Sequence, residues 1–309
     1  MKNRFSLMAA FAAGLLTGPM ASQVVADTQL IDHPGATDTQ VFGINDRGEV
    51  VGNGVGDPAT LPFVYDSRMS ALTDVAPAAG FLATSVLGNN DAGTLVGSVV
   101  SLDGLTISGF IRSKDGTYTF FDHPDAFSST NPRAINNTGL VTGFSDREDG
   151  TTVGFIYDSN NGSFTDIDNG ESFFTIAHGI NSKGEVVGNS FYDVGDDPCG
   201  IGEFVNLGWL RSADGTVTYF QVNGASTRPR GINDRGSIVG FVNDSGIVKG
   251  FLVQPDATQC QQIPVATDDL LQVMGFDTTF PEGISNSGVI AGSTGDFDGP
   301  THGFIVTPR

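Results

Sequence analysis

The sequence predicts an all-β fold: a six-bladed β-propeller of four-stranded antiparallel blades, closed by the N-terminal strand. Three observations predict it. A ten-residue phrase recurs six times, further short strand patterns follow the copies, and the last copy lacks a strand that residues 28–32 could supply. Repeats about 40–50 residues apart are typical of propellers and other repeat architectures.

The repeated phrase predicts a β-hairpin in every unit. First residues of successive copies are 45, 46, 45, 52 and 52 positions apart. The third position is Asn, or Ser285 in the last copy, and the sixth is always Gly; this pair caps a tight turn and supplies left-handed backbone. Apolar β-forming residues flank the turn on both sides. The copies are GINDRGEVVG (43–52), GNNDAGTLVG (88–97), AINNTGLVTG (134–143), GINSKGEVVG (179–188), GINDRGSIVG (231–240) and GISNSGVIAG (283–292).

A third strand with one recurrent aromatic residue follows each copy. We expect these aromatic side chains to anchor the core of each blade. The strands are LPFVY (61–65), SGFIR (108–112), VGFIY (153–157), LGWLR (207–211), KGFLV (249–253) and HGFIV (302–306). The aromatic residues are Phe63, Phe110, Phe155, Trp209, Phe251 and Phe304.

A fourth strand is predicted after a polar turn, most clearly in three units. The segments are TYTFFD (117–122), SFTDID (163–168) and TVTYF (216–220). The last unit ends after its third strand, whereas TQLIDHPGATDTQVFGIND (28–46) aligns with a fourth strand and its run into the next unit, YTFFDHPDAFSSTNPRAINN (118–137). We therefore expect residues 28–32 to complete the last blade, so that 27–309 form one propeller.

Residues 1–26 have the pattern of a secretory signal peptide. Lys2 and Arg4 precede an apolar stretch, and Val24, Val25 and Ala26 offer small residues before a cut at Asp27. A membrane anchor is the alternative, but the apolar run is too short to span a bilayer. We expect a secreted or periplasmic protein with no membrane attachment after cleavage.

The charge excludes some partner classes. Of 15 basic and 35 acidic residues, the signal peptide removes two bases, which leaves 13 against 35 and a net charge of about −22. Such a chain repels nucleic acid and anionic lipid, and we expect a monomer. Cys199 and Cys260 can form one disulfide in an oxidising compartment, with two unpaired thiols as the alternative.

Two segments resemble a known family. HPGATDTQVFGINDRGEVVG (33–52) and THGFIV (301–306) resemble the units of HAF-repeat proteins, which are extracellular bacterial repeat proteins. The resemblance covers essentially the whole mature chain and implies a repeat fold, export and a propeller. It departs at Asn89, where Ile is usual, and in the middle units, where HGF becomes SGF, VGF, LGW or KGF. It carries no catalytic residues.

The position just before each phrase is predicted to lie at the channel entrance. Four units are polar there, and a repeat that departs from its own rule indicates function. We expect Arg133 and Arg230 to bind a carboxylate or sulfate, and His178 and Glu282 to contact the ligand or to transfer protons. The alternative is pairing between blades, Arg230 with Glu282 and Arg133 near His178. The six residues are Phe42, Leu87, Arg133, His178, Arg230 and Glu282.

Acidic loops are weaker candidates for a calcium site. Calcium binds several oxygen ligands, but none of these runs has the spacing of a dedicated calcium loop, and solvated acidic turns are the alternative. No other cofactor motif is present, and His33 and His123, at equivalent loop positions, are interpreted as structural. The acidic groups are Asp193, Asp196 and Asp197 in the long loop 189–206, then Asp146, Glu148 and Asp149, and finally Asp296 and Asp298.

Two functions remain open. The favoured one is an exported, non-catalytic propeller that binds glycan, cell-surface material or a protein partner. The alternative is a carbohydrate-active enzyme, a polysaccharide lyase or glycoside hydrolase, that acts on an anionic sugar with His178 and Glu282 at the channel mouth. The enzyme requires these side chains and the two arginines to converge on one open pocket. The long loop 189–206 is either a recognition element or a flap pinned by a disulfide.

Overall fold

The computed structural model describes residues 28–56, 60–170, 172–201, 204–244, 247–256, 258–265, 271–273, 275–296 and 298–307. The predicted signal peptide, residues 1–26, lies outside them. All regular elements of this described part are β-strands, and it contains no helix long and apolar enough to cross a membrane. The strands form a β-propeller arrangement of antiparallel blades.

The described strands follow the repeat units in chain order, after an initial strand β1 (Thr28–Ile31). The first unit contains β2 (Asp38–Ile44), β3 (Glu49–Val55), β4 (Thr60–Asp66) and β5 (Ala71–Asp74), and the second β6 (Ala83–Asn89), β7 (Leu95–Val100), β8 (Ile107–Arg112) and β9 (Tyr118–Phe121). The third contains β10 (Thr130–Ile135), β11 (Leu140–Asp146), β12 (Thr152–Asp158) and β13 (Ser163–Ile167), and the fourth β14 (Phe174–Ile180), β15 (Val186–Tyr192), β16 (Val205–Arg211) and β17 (Val217–Val222). The fifth contains β18 (Ser226–Ile232), β19 (Ile238–Asp244), β20 (Ile247–Val253) and β21 (Gln261–Ile263), and the sixth β22 (Thr278–Ile284), β23 (Ile290–Gly295) and β24 (Thr301–Val306). The predicted hairpins, third strands and fourth strands are confirmed within two residues.

Hydrogen bonding joins the described strands into five sheets. Four are separate antiparallel blades, with strand orders β2-β3-β4-β5, β6-β7-β8-β9, β18-β19-β20 and β1-β24-β23-β22. The fifth has nine strands, because the chain entering β14 runs beside the start of β12 and forms a parallel pair between Thr152 and Phe174. The sequence predicted six four-stranded antiparallel blades, whereas the described strands form four separate blades and one nine-stranded sheet.

The fifth unit places its last strand differently from the others. β21 pairs in parallel with β17 of the fourth unit, where Phe220 faces Gln261 and Val222 faces Ile263. A single antiparallel bridge between Gly250 and Leu271 takes the place beside β20. The longer spacing between the fifth and sixth copies of the phrase provides the residues that make both contacts.

The initial strand β1 pairs with the last strand β24. The antiparallel register runs from Thr28 opposite Val306 to Ile31 opposite Gly303. Alternation places Ile31 inside, at 2% exposure, and Leu30 outside, at 42%. Ile31 joins Phe63 of the first unit and Ile305 of the sixth in one core cluster. A pair of strands from opposite ends of the sequence thus contributes to the core.

A β-bulge occurs in each innermost strand, at the residue just before the repeated phrase. The register of β6 against β7, for example, shifts between Val86 and Gly88, so Leu87 is the extra residue. The glycine that closes the phrase faces the bulge. At Gly97 a Cβ would collide with the carbonyl oxygen of Ser85 and press on the ring of Phe110. The bulge therefore requires glycine at this position.

The recurrent aromatic residue of each third strand lies directly opposite this glycine. All six aromatic side chains are at most 1% exposed, which confirms them as core anchors. The cross-strand pairs are Gly52–Phe63, Gly97–Phe110, Gly143–Phe155, Gly188–Trp209, Gly240–Phe251 and Gly292–Phe304. Glycine leaves the space that the ring occupies.

The asparagine of the phrase has two separate partners. In the third unit, Asn136 Oδ1 accepts hydrogen bonds from the backbone N–H groups of Thr138 and Leu140, and so caps its own turn. Its Nδ2 donates to the carbonyl of Asn181 in the fourth unit. Every Asn of the series donates in this way to the equivalent residue of the next unit. The pairs are Asn45–Asn90, Asn90–Asn136, Asn136–Asn181, Asn181–Asn233 and Asn233–Ser285.

Truncation of Ile31 tests the contribution of β1. Ile31→Ala removes a buried side chain from the cluster with Phe63 and Ile305, and we expect it to lower the free energy of unfolding in urea by about 2–5 kcal/mol. The control is Leu30→Ala in the same strand. It should lower the free energy of unfolding by well under half of that amount. Equal losses in the two variants would contradict the packing of β1 against β24.

Two substitutions of Asn136 separate its two hydrogen-bonding roles. Asn136→Asp keeps the acceptor that caps the turn but places a carboxylate oxygen against the carbonyl of Asn181, and we expect it to lose about 1–3 kcal/mol of unfolding free energy. Asn136→Ala should lose at least as much. The control is Asn161→Asp in an exposed turn, where the lost hydrogen bond to Asp158 is solvated, so the loss should be less than half as large. If Asn136→Asp left the free energy of unfolding unchanged, the hydrogen bond between units would be unimportant for stability.

Candidate ligand site at the channel mouth

The innermost strands line a shared channel. β2 packs against β6, β6 against β10, β10 against β14, β14 against β18, β18 against β22, and β22 against β2. At one end, a cavity of about 100 Å³ is lined by all six bulge residues: Phe42, Leu87, Arg133, His178, Arg230 and Glu282. A bulge re-aims its side chain relative to the strand. The structure thus brings together the six residues that the sequence placed at the channel entrance.

An apolar belt separates this cavity from the other end of the channel. Five of the six residues at the second position of the phrase are isoleucine, and they line both ends: Ile44, Ile135, Ile180, Ile232 and Ile284. Asn89 takes the sixth place and donates through Nδ2 to the carbonyl of Glu49, while its Oδ1 is buried without a hydrogen-bond partner among the described residues. The residue at which this unit departs from the other five copies of the phrase therefore lies inside the channel.

A second cavity of about 370 Å³ adjoins the first and shares Arg133, His178 and Arg230 with it. Its other lining residues come mainly from the fourth and fifth units: Phe174, Ile176, Asn189, Phe191, Asn206 and Arg228. We call this second space the arginine cavity. Glu282 is the one acidic residue among the described residues that line either cavity.

His178 is a buried, neutral hydrogen-bonding residue. Asn189 Oδ1 lies 3.1 Å from Nε2, and Arg230 Nη1 lies 2.8 Å from Nδ1 and 2.7 Å from Nε2. A tautomer protonated at Nε2 donates to Asn189 and accepts from Arg230 at Nδ1. Burial first, and then the charges of Arg230 and Arg133, hold the pKa of His178 well below 6.5. Both ring nitrogens are therefore engaged.

Glu282 and Arg230 form a long ion pair across two units. Arg230 Nε lies 3.7 Å from Glu282 Oε2, beyond hydrogen-bond reach, and 17% of each side chain remains accessible. Burial raises the pKa of Glu282, and Arg230 and Arg133 oppose that shift. The pairing expected as the structural alternative is present, but its geometry leaves donors of Arg230 unused.

Three arginines carry the positive charge of the site. Within the described residues, the Nε atoms of Arg133, Arg228 and Arg230 are buried without a hydrogen-bond partner. Arg133 lies over the ring of Phe144 at 5.2 Å, and Arg228 and Arg230 lie over Phe241 at 5.8 and 4.9 Å. Burial, and then Arg230, lower the pKa of Arg133 to about 10, so Arg133 remains cationic at neutral pH.

Sequence reasoning missed Arg228, Asn189 and Asn206. The equivalent of Asn189 in the first unit, Asn53, exchanges two hydrogen bonds with the backbone of Val86 in the second unit. Proline stands at that place in the fifth unit, as Pro229, and offers no N–H. Asn189 is thereby released to hold His178. The proline was the available signal, together with a second arginine two residues before Arg230.

The acidic loop residues mainly cap loops. Asp197 Oδ1 accepts from the N–H groups of Cys199 and Ile201, and Asp149 Oδ1 accepts from that of Thr151. No group of three or more His, Cys, Asp or Glu residues placed to hold a metal ion occurs within the described ranges. The calcium prediction stays a prediction. It gains no ligand set from Asp193, Asp196, Asp197, Asp146, Glu148, Asp149, Asp296 and Asp298 as they are placed.

The remaining predicted residues stabilise loops. His33 Nδ1 accepts from the N–H of Gly35, and its Nε2 pairs with Asp74 at 2.9 Å. His123 repeats this geometry with Asp125 and Asp166. Cys199 and Cys260 form a disulfide, with 5.4 Å between Cα atoms, that ties the loop 189–206 to the segment before β21.

Comparison with known proteins shows the fold alone. No family model matches the chain, and no curated protein matches it. A solved structure provisionally named a gluconolactonase has a TM-score of 0.52 at 14% identity, over 94% of this chain and 93% of its own. A luciferin-regenerating enzyme has a TM-score of 0.51 at 12% identity, over 94% and 95%. TolB from Acinetobacter baumannii has a TM-score of 0.51 at 10% identity over 86% of this chain, which spans only 53% of TolB.

The pH dependence of stability tests the protonation state of His178. Its pKa is lower in the folded state than the unfolded value of 6.5, so below that pH the unfolded chain takes up a proton that the fold resists. Stability is therefore lost as the pH falls. We expect wild type to lose more unfolding free energy than His178→Gln between pH 7 and pH 5.

Urea unfolding at several pH values measures this difference. Glu282 is common to both proteins, so the difference isolates His178. The two curves should run parallel above pH 7. Parallel curves at lower pH as well would mean that His178 is not held neutral.

Proposed function

We propose that this chain is an exported, six-bladed, closed β-propeller that binds a carboxylate- or sulfate-bearing ligand in its arginine cavity without catalysis. One feature supports the count of six: at the Thr152–Phe174 bridge the nine-stranded sheet divides into two groups of four antiparallel strands, β10–β13 and β14–β17, and the ninth strand, β21, is added to the second group in parallel. Ring closure is supported by the packing of β22 on β2 and by the pairing of β1 with β24. Export is supported by the signal pattern of residues 1–26 and by a disulfide, which persists in oxidising compartments.

Three partly buried arginines that line one cavity carry this proposal. Their Nε atoms are covered by protein, so a ligand reaches the outer N–H groups of each guanidinium. An anion with several acceptor oxygens can pair with Arg133, Arg228 and Arg230 together, because each guanidinium presents a fork of N–H donors. The chain as a whole carries a net charge of −20. A positive cluster buried in so acidic a chain favours one bound anion over general electrostatic attraction.

A binding role accounts for His178 and Glu282 better than catalysis does. A general base needs a lone pair free to take a proton, whereas Nδ1 of His178 accepts from Arg230. Glycoside hydrolysis ordinarily uses two carboxyl groups flanking the bond, and Glu282 is the one acid among the described lining residues. His178 instead orients Arg230, and Glu282 balances part of the positive charge.

Anion titrations of the mature protein test the proposal. We expect galacturonate, glucuronate or sulfate to bind in isothermal titration calorimetry. Arg133→Met and Arg228→Met keep an apolar stem but remove a charged donor worth about 1.5–3 kcal/mol, so affinity should fall about 10- to 150-fold. Binding should also weaken with added salt.

The matched control is Arg68→Met, since Arg68 is 63% exposed and lies on an outer turn. Its affinity should equal that of wild type. Absence of anion binding, or equal binding in the Arg133 and Arg228 variants, would overturn the proposal. Unsaturated or hydrolysed products from an acidic polysaccharide, lost in His178→Ala, would replace it with the enzyme.

A further inference from the structure

We propose that the ligand is an acidic oligosaccharide, with one sugar carboxylate in the arginine cavity and the next sugar ring stacked on phenylalanines at the rim of the fourth unit. This inference rests on the proposed function and names the ligand class of that same site. It follows from three features of the site: arginines and phenylalanines that line one cavity, an aromatic row on the cavity wall, and its continuation outside the cavity.

The lining of the arginine cavity calls for an anion that also has an apolar surface. Arg133, Arg228 and Arg230 line it together with Phe174 and Phe191, and no acidic residue lines it among the described residues. A carboxylate can pair with the arginines. Sulfate offers no apolar face to the phenylalanines, whereas a sugar acid carries one on its ring.

An aromatic row forms the outer part of the same wall. Phe174 lies opposite Phe191, and Phe191 lies opposite Asn206, across β14, β15 and β16. Phe174 and Phe191 line the cavity together with the arginines. Sugar rings carry apolar C–H faces and polar edges, so a site for them combines aromatic surface with a few placed polar groups.

The aromatic surface continues beyond the cavity. Phe173 and Phe174 are each 45% exposed, and Phe204 is 65% exposed. Phe204 stacks on Phe191 with 6.2 Å between ring centroids and 16° between planes. Exposed aromatic side chains grouped beside a cavity mark an interaction site. Because these rings lie beyond the arginines that bind the carboxylate, the surface that they form has space for a second sugar.

Loop placement supports the same arrangement. Phe204 belongs to the loop 189–206, which the Cys199–Cys260 disulfide ties to the segment before β21. A loop held in this way can present an aromatic ring with little loss of conformational entropy on binding. The loop predicted as either a recognition element or a pinned flap can then serve as both.

A comparison of chain lengths tests the inference. The probes are galacturonate, trigalacturonate and the neutral trisaccharide maltotriose, titrated into the mature protein. We expect trigalacturonate to bind about 2- to 12-fold more tightly than galacturonate, since aromatic stacking contributes roughly 0.5–1.5 kcal/mol. Maltotriose should not bind measurably.

Variants separate the two parts of the site. Phe174→Ala should remove the tighter binding of trigalacturonate and leave the affinity for galacturonate unchanged. Arg228→Met should lower the affinity for both ligands. The control is Phe127→Ala, an equally simple truncation of a phenylalanine that is 66% exposed on the third unit, and it should bind both ligands as wild type does. Thermal unfolding of each variant verifies that it is folded.

The outcomes distinguish this inference from the proposed function. If galacturonate binds but trigalacturonate binds no better, the inference is wrong and the proposed function stands. Equal binding of maltotriose, or tighter binding of an acidic peptide than of trigalacturonate, would also overturn the inference. If no anion binds at all, both proposals fail.

Discussion

The structure depends on one steric constraint, the β-bulge in each innermost strand and the glycine that faces it. The bulge brings a backbone carbonyl so close to the facing strand that only glycine can stand opposite, as at Gly97 and Ser85. The missing side chain also leaves the space in which the aromatic anchor lies, Phe110 in that unit. Since side chains alternate between faces of a strand, an added residue changes which face the following side chains meet. The bulge and its facing glycine therefore leave room for the aromatic core of the blade. The bulge also turns Leu87 and its five equivalents toward the channel.

The repeated phrase recurs because its asparagine makes contacts both within its own unit and with the next unit. The asparagine closes its own turn through one side-chain atom and bonds the next unit through the other, as Asn136 does with Leu140 and Asn181. A buried threonine four residues before each phrase holds the preceding loop. Thr39, for instance, accepts the backbone N–H of His33, and Thr130 accepts that of His123, so the loop into the hairpin is held to its own strand. In the fourth unit Thr175 instead pairs with the side chains of Ser172 and Ser190. A substitution in such a residue would disturb both a turn and a contact between elements.

The candidate site arises where the fourth and fifth units stop following these rules. Pro229 lacks the N–H that Asn189 would otherwise bind, so Asn189 holds His178, and His178 in turn accepts from Arg230. The resulting cavity is lined by Arg133, Arg228 and Arg230, and the charge of Arg230 acts on the other two. Like charges held close together lower the stability of the fold. A bound anion would recover that stability, which is the thermodynamic expectation for a pre-formed binding site.

The sequence by itself determined the features that every unit shares. The hairpins, the third strands, the aromatic anchors and the six positions at the channel end recur at a fixed period, because each rests on contacts within a unit or between equivalent residues of adjacent units. The tertiary structure alone decided the rest: the merging of two groups of strands at Thr152 and Phe174, the pairing of β21 with β17, and the arrival of Arg228 and Asn206 at the site. These contacts occur once, between residues far apart in the chain, so no periodic pattern reports them. The protonation of His178 belongs with them, since it follows from burial and from the arginines that the neighbouring units bring beside it.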